Sequence, residues 1–188
     1  MRVIAGSAGG IRLTVPETNL RPTMDRVKAA IFSSLGERVI GARVLDLFAG
    51  TGALGLEALS RGAASALFVD ENRAAVQAIE RNFQKTKLRG RVTKQEVFAF
   101  LNRQRSNETF DIIFADPPYE QAKGGGEFTR MLLENENLCD VLAPDGVFLL
   151  EKRPDEQLFE PALWTVARAK TYGATEVLFL EDANRPNE

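Results

Sequence analysis

The sequence predicts an α/β fold with a doubly wound, mostly parallel sheet of seven strands. From residue 43 onwards, short apolar runs alternate with amphipathic segments, and the connections between them are short. Nearly continuous apolar strands are typical of a parallel sheet that helices cover on both faces. The last two strands are joined by a turn at Gly173, which predicts an antiparallel hairpin at one edge of the sheet.

The predicted elements divide the chain into an extension, a main domain and a tail. Residues 1–42 hold two short strands around a glycine turn, then a helix that Thr23 caps and that Gly36 or Gly41 ends. Residues 43–182 form the main domain, and residues 183–188 are expected to be a disordered tail. Strands are expected at 44–48, 66–70, 92–95, 112–115, 147–151, 164–170 and 176–180, and helices at 53–61, 73–87, 97–103 and 128–138.

Composition excludes several classes of function. The 188 residues include one cysteine, Cys139, and no histidine, which removes Ser-His and Cys-His nucleophiles and nearly all zinc-ligand sets. No metal is therefore expected. No apolar run approaches the roughly 20 residues of a membrane span, and the start of the chain does not resemble a signal peptide. We expect a soluble cytoplasmic protein with no membrane partner.

Charge is distributed unevenly along the chain. Residues 1–43 carry seven basic and three acidic residues, a net charge of +4, whereas the whole chain has −2, so residues 44–188 carry −6. A basic arm on an acidic body favours contact with phosphates. A solvated surface is the alternative.

A glycine-rich loop follows the first main strand. Gly50, Gly52 and Gly55 fit the pattern G-x-G-x-x-G, and Asp70 ends the next strand 20 residues after Gly50. This is formally a dinucleotide fingerprint, in which the acid binds ribose hydroxyls. Asp46, however, lies in the strand just ahead of the loop, where a buried carboxylate needs a polar partner. It would repel a pyrophosphate, whereas the amine and sulfonium of S-adenosylmethionine would satisfy it.

Acidic residues end four of the predicted strands. Asp46, Asp70, Glu96 and Asp116 would meet in one crevice, because the carboxyl ends of parallel strands share an edge of the sheet. We expect Asp46 near the methionine amine, Asp70 on the ribose and Glu96 on adenine N6, with the Val97 N–H near adenine N1. A glutamate that merely starts a helix is the alternative for Glu96. The remaining expected cofactor contacts are Phe48, Ala49, Thr51, Gly52 and Glu71.

The segment Asp116-Pro117-Pro118-Tyr119 directly follows an apolar strand. Neither proline has a backbone N–H, so the carbonyls of Asp116 and Pro117 are available to a ligand. An acid, free carbonyls and a stacking ring suit a flat base that carries an amino group. An ordinary turn after a strand is the alternative.

Together these segments resemble the RsmD family of bacterial 16S rRNA guanine-N2 methyltransferases. The likeness runs from Gly6 to about Leu180 and includes Arg21-Pro22-Thr23-Met24-Asp25-Arg26-Val27, the glycine loop, Asp116 to Tyr119 and Lys170-Thr171-Tyr172-Gly173. The resemblance implies a Rossmann-like fold and methylation of one guanine by S-adenosylmethionine. The substrate would be 16S rRNA, within an assembled small-subunit particle, and the enzyme is expected to be a monomer. The chain departs from the family at Glu96-Val97, where Asp-Ala is usual.

Roles follow for the residues of the tetrapeptide and of the basic arm. Asp116 and the Pro117 carbonyl would each accept one amine hydrogen, because a free aspartate, with a pKa of about 4, is too weak a base to deprotonate the amine beforehand. Tyr119 would stack on the base, and Pro118 completes the predicted catalytic tetrapeptide. The residues expected to contact RNA are Arg2, Arg12, Arg21, Thr23 and Arg26. For Arg26, an internal ion pair with Asp25 or another acid is the alternative.

Three other functions fit part of the pattern. An adenine-N6 methyltransferase acting on nucleic acid uses the same tetrapeptide, since both bases present an exocyclic amine. The chain is too short to include the target-recognition domain of a sequence-specific DNA enzyme. An NAD-dependent oxidoreductase fits the glycine loop, and a catalytically silent RNA-binding module fits the basic arm.

Overall fold

A computed structural model describes residues 1–15, 24–103, 108–118, 126–156 and 162–184. Within these ranges, seven strands form one sheet with the order β3-β2-β1-β4-β5-β7-β6. The strands are β1 (Arg43–Leu47), β2 (Ser65–Asp70), β3 (Arg91–Lys94), β4 (Phe110–Ala115), β5 (Leu142–Lys152), β6 (Trp164–Tyr172) and β7 (Thr175–Asp182). Strands β1 to β5 pair in parallel, and β7 pairs antiparallel with β5 and with β6. The predicted sheet, with its antiparallel edge hairpin, is confirmed.

Helices cover both faces of the sheet. They are α1 (Met24–Leu35), α2 (Ala53–Ser60), α3 (Arg73–Thr86), α4 (Val97–Arg103), α5 (Glu127–Leu133) and α6 (Glu136–Asp140), and a short 3-10 helix spans Gly36–Val39. Two buried clusters result, one on each face. Phe114 and Leu149 belong to the cluster that α1 covers, while Ala115 and Leu150 belong to the other. No helix in the described ranges is both long and apolar enough to cross a bilayer.

Two predicted elements differ in the structure. The helix expected at 128–138 is two helices, because the side chain of Asn135 accepts a hydrogen bond from the Leu138 N–H at 3.1 Å and so caps a new helix. The N-terminal strands reduce to one bridge between Arg2 and Arg12. In α1 the apolar side chains of Val27, Ile31 and Leu35 are buried, and the helix ends before Gly36. The predicted cap, Thr23, lies outside the described residues. So do residues 185–188 of the predicted tail.

Candidate active site

The carboxyl ends of β1 to β5 open into one crevice with a volume of about 1150 Å³. Most of the predicted site residues line it, namely Asp46, Phe48, Ala49, Gly50, Thr51, Asp70, Glu71, Glu96, Val97, Asp116, Pro117 and Pro118. Gly52 is buried within the loop and is not part of the lining, and Tyr119 lies outside the described residues. The structure therefore brings the four predicted acids to one crevice.

Asp46 is a buried acid at the floor of this crevice. Its side chain is 2% exposed, and Oδ2 accepts a hydrogen bond from the Gly55 N–H at 2.9 Å. The pKa of Asp46 is raised to about 8, chiefly by burial; the charges of Asp116 and Asp70 also raise it, whereas the hydrogen bond from the Gly55 N–H lowers it. A cation placed beside Asp46 would reverse this effect and would favour the ionised form.

The three glycines of the loop have different roles. Gly50, with φ of 54°, lines the crevice, and the nearest atom to an added Cβ would be the Phe48 carbonyl oxygen, at an uncrowded 3.9 Å. A Cβ on Gly52 would lie 3.1 Å from Ile79, and one on Gly55 would lie 2.3 Å from the Phe68 ring. Gly50 thus admits a ligand to the backbone, whereas Gly52 and Gly55 let the loop and α2 pack on β2 and α3.

Asp70 fixes the loop from the next strand. Its Oδ2 accepts from the Gly50 N–H at 2.8 Å, and its Oδ1 accepts from the Asn72 N–H at 2.8 Å. Because each carboxylate oxygen has two acceptor sites, Asp70 can hold the loop and still bind hydroxyl groups in the crevice.

Glu96 caps a helix in the structure. Its two oxygens accept from the N–H groups of Phe98 and Ala99, at 2.9 and 2.7 Å, at the start of α4. Glu96 therefore does start a helix, as the alternative interpretation of the sequence expected. Glu96 also lines the crevice, so capping does not remove it from ligand contact.

An aromatic wall next to Glu96 was not predicted. Phe98 stacks on Phe128 with their ring centroids 6.2 Å apart, and Phe48 meets both rings edge-on, at 6.3 and 5.8 Å. Phe48 and Phe128 line the crevice. The three rings come from the loop after β1, from α4 and from α5, so no local sequence pattern links them. They offer a flat apolar surface to a planar ligand.

The N-terminal arm, residues 1–15, is bound to the main domain by polar side chains that were also missed. Glu57 is fully buried and accepts from the N–H groups of Ile4 and Ala5, at 2.6 and 3.0 Å, and it pairs with Lys28 at 3.3 Å. Ser60 Oγ accepts from the Ala8 N–H at 2.9 Å. The arm therefore forms one fixed wall of the crevice, where Met1 and Val15 are exposed to it.

Three of the predicted RNA-contacting residues, Arg2, Arg12 and Arg26, fall in the described ranges and are not among the residues that line the crevice. Arg12 and Arg26 are exposed, and so is Arg2, whose guanidinium is 3.9 Å from Asp25. The acid that was considered as a partner for Arg26 thus contacts Arg2 instead. Arg21 and Thr23 lie outside the described residues.

The crevice suits S-adenosylmethionine. Asp46 is a buried acid whose pKa a cationic amine would lower, Asp70 is placed for hydroxyl groups, and the aromatic wall is placed for a planar base. A pyrophosphate would meet Asp46 and Asp70 instead of free N–H groups. Together with the sheet order, these features define an S-adenosylmethionine-dependent methyltransferase.

Comparison with known proteins gives the family. The chain belongs to the family described as Conserved hypothetical protein 95, the RsmD family, whose model matches residues 1–181. It is 37% identical to the ribosomal RNA small subunit methyltransferase D of Escherichia coli, over 92% of this chain and 85% of that protein.

Solved structures agree with this assignment. A putative methyltransferase from Escherichia coli, yhhF, superposes with a TM-score of 0.79 at 34% identity, over 97% of both chains. The T. thermophilus 16S rRNA N2 guanine methyltransferase RsmC, in complex with AdoMet and guanosine, superposes with a TM-score of 0.70 at 25% identity, over 88% of this chain and 44% of that one. The predicted fold, cofactor and family are confirmed.

Proposed function

We propose that this protein transfers a methyl group from S-adenosylmethionine to the exocyclic N2 amine of a guanine in 16S rRNA. The observation that carries the proposal is the position of Asp116, Pro117 and Pro118, which line the same crevice as Asp46 and the glycine loop. An amine held at the end of β4 would therefore face a methyl donor held at the end of β1. The relatives named above support ribosomal RNA as the substrate.

Residues of β1, β2 and α4 would hold the cofactor. Asp46 would pair with its amine, Asp70 and Glu71 with the ribose, and Glu96 and the Val97 N–H with adenine. The loop residues Phe48, Ala49, Gly50 and Thr51 would line its path, with Phe128 against the adenine face. When bound, the cofactor supplies a methyl group that is activated by positive sulfur.

Asp116 and Pro117 would orient the acceptor. The N2 lone pair of guanine is delocalised into the ring, so the amine is a poor nucleophile until it is turned out of the ring plane. Asp116 would accept one amine hydrogen and the Pro117 carbonyl the other, which points the lone pair at the methyl carbon. Asp116 or water would take the proton that nitrogen loses once it has received the methyl group, with S-adenosylhomocysteine as the leaving group. Such placement can contribute on the order of 7–11 kcal/mol.

The extension of residues 1–42 would contact the RNA. It precedes the domain of residues 43–182 and holds the exposed Arg12 and Arg26 beside the crevice wall formed by the arm. The target base must leave its stack to reach Asp116, which favours a loop nucleotide. We propose that the enzyme acts in the cytoplasm as a monomer on an assembled small-subunit particle.

The decisive experiment offers three substrates in parallel. Labelled methyl donor is supplied with naked 16S rRNA, assembled small subunits and DNA, and the nucleosides are separated by mass spectrometry. We expect N2-methylguanosine from the ribosomal substrates, with the assembled subunit preferred. N6-methyladenine in any arm, or no product in all three, would refute the proposal.

A variant tests the role of Asp116 in the same assay. Asp116→Ala should bind S-adenosylhomocysteine with nearly wild-type affinity but lose single-turnover methylation, because the change removes the carboxylate that orients the amine and keeps the proposed cofactor contacts. Asp140→Ala is the matched control, since Asp140 is an exposed acid of α6 outside the crevice. Wild-type rates in Asp116→Ala would contradict the mechanism.

A further inference from the structure

A second acid lies beside Asp116 at the end of the neighbouring strand. Glu151 is half-buried in β5 and lines the crevice together with Lys28 and Thr175, on the side away from the glycine loop. The mechanism above gives it no role. Its position relative to Asp116 follows from the register of the sheet.

The register places Glu151 and Asp116 at the same level. Ala115 and Leu150 are the last pair of the parallel ladder between β4 and β5, and Asp116 and Glu151 directly follow them at the same end of the two strands. Parallel strands lie about 4.8 Å apart, which is within reach of one planar base.

Both acids also follow the same alternation of side chains. Asp116 comes two residues after Phe114, and Glu151 comes two residues after Leu149, which is the partner of Phe114. Successive side chains of a strand alternate between faces, so residues two apart share a face. Phe114 and Leu149 belong to the buried cluster on the face that α1 covers. When it is continued one residue beyond the end of β4, this alternation puts Asp116 on the same face as Glu151 and as Asp46, which pairs with Phe114 from β1.

This pair of acids matches guanine and not adenine. Guanine presents two adjacent donors on its Watson–Crick edge, the N1–H and the N2 amine. Adenine presents an amine beside N1, which has a lone pair and no hydrogen. Ionised carboxylates accept hydrogen bonds and cannot donate them. Two neighbouring carboxylates thus suit two neighbouring donors, and one of them would repel the N1 lone pair of adenine.

We infer that Glu151 is the residue that selects guanine, by accepting the N1–H while Asp116 accepts a hydrogen of the N2 amine. This inference rests on the proposed function and assigns its base specificity to one side chain. A carboxylate has about four acceptor sites, so a protein contact at one oxygen leaves others for the base.

The surroundings of Glu151 hold it in place. β5 pairs with β4 on one side and with β7 on the other, where Glu151 is the partner of Val177. The next residue, Lys152, is 2% exposed, and its Nζ donates to the carbonyls of Arg153 and Glu156 at 2.7 and 2.8 Å and pairs with Glu176 at 2.8 Å. A side chain on such a strand end is positioned by the sheet, which specific recognition of a base requires.

The test compares guanine with 2-aminopurine at the methylated position of 16S rRNA. 2-Aminopurine keeps the C2 amine, but its N1 has no hydrogen. In single turnover, the wild-type enzyme should prefer guanine by about 100-fold or more, because a site built for a donor rejects a base that lacks it. Glu151→Gln should methylate guanine about 10- to 100-fold more slowly and prefer it by less than about 10-fold. The reason is that the glutamine amide can donate to N1 of 2-aminopurine.

Controls separate this inference from the proposed function. Glu181→Gln changes a half-buried glutamate of β7 outside the crevice and should keep the full preference. Glu151→Asp keeps the carboxylate and should keep the preference at a lower rate. An unchanged preference in Glu151→Gln, with wild-type binding of S-adenosylhomocysteine, would overturn the inference. Failure of the wild-type enzyme to methylate guanine would instead refute the proposed function.

Discussion

The side chain of Asn82 donates a hydrogen bond to the carbonyl oxygen of Thr51, with 3.0 Å between Nδ2 and O. The same amide donates to the Thr14 carbonyl at 3.0 Å and accepts from the Thr14 N–H at 2.7 Å. Asn82 is fully buried on α3. One side chain therefore joins the cofactor loop to the N-terminal arm.

We predict that Asn82→Ala weakens both cofactor binding and folding. The change leaves three backbone groups without their partner, and each such group costs about 1–3 kcal/mol when buried, although the effects do not add fully. The free energy of unfolding in urea should fall by about 2–4 kcal/mol. Calorimetry should show a weaker affinity for S-adenosylhomocysteine.

Ser60→Ala is the matched control for this prediction. It removes the hydrogen bond to the Ala8 N–H, and so loosens the arm without touching the loop. We expect a loss of stability with little change in cofactor affinity. If Asn82→Ala bound the cofactor as tightly as the wild-type protein, the link between arm and loop would have no role in binding.

The raised pKa of Asp46 predicts a dependence of stability on pH. In the unfolded chain its pKa is about 4, whereas burial raises the folded value to about 8. The folded state therefore holds a proton that the unfolded state lacks between these values. The stability from this group is fully present below about pH 4 and is lost as the pH rises towards 8. Urea unfolding of Asp46→Asn, from pH 5 to pH 8, should show a flatter decline than the wild type.

Cofactor binding should release protons at neutral pH. The amine would favour ionised Asp46, so binding at pH 7 should expel up to one proton per site. Calorimetry in buffers of different ionisation enthalpy measures this number directly. Asp46→Asn should release fewer protons and should bind more weakly. Equal proton release by both proteins would show that Asp46 does not respond to the cofactor.

Arg26 is predicted to contact an RNA phosphate. It is exposed on α1, and the neighbouring Asp25 accepts from the Arg2 N–H at 3.3 Å. Arg26→Ala should weaken RNA binding and reduce the slope of log K against log salt by about 0.7–0.9, the value for one phosphate contact. Arg89→Ala changes an exposed arginine just before β3, an edge strand of the sheet, and should leave the slope unchanged. A wild-type slope in Arg26→Ala would contradict this role.

Gly55→Ala is predicted to destabilise the fold. The added Cβ would lie 2.3 Å from Cε1 of Phe68, a fully buried ring, so one of the two must move. Overpacking of this kind costs about 1–3 kcal/mol in the free energy of unfolding. The double variant Gly55→Ala/Phe68→Leu should recover part of this loss in urea unfolding. No recovery would show that the strain lies elsewhere.

Much of the sheet and crevice could be predicted because both depend on local patterns. Apolar runs give the strands, and the rule that parallel strands share their carboxyl edge brings Asp46, Asp70, Glu96 and Asp116 together. The break before α6 was missed, although Asn135 followed by Glu136 is a signal for a helix start.

Other features depend on contacts between residues far apart in the chain. Asn82 lies within a polar helix, and its hydrogen-bond partners, Thr14 and Thr51, are 68 and 31 residues away in sequence. No local sequence pattern therefore indicates its role. The stacking of Phe98 on Phe128 depends on how α4 and α5 approach each other. Glu57 and Lys28 resemble surface residues in sequence, but they are buried where they pair with each other and where Glu57 binds the arm.

The close fit of Gly55 against Phe68 bears on how far a glycine signature can identify a ligand. Of the three glycines, Gly52 and Gly55 are required by close contact with the Phe68 ring, whereas Gly50 lines the crevice. The spacing of Gly52 and Gly55 therefore reflects the close packing of the turn on the Phe68 ring. Any α/β protein that packs this turn against an aromatic ring would need glycines at the same two positions, whatever nucleotide it binds. In this chain, the buried carboxyl group of Asp46, which a cationic amine would ionise, indicates the class of ligand instead.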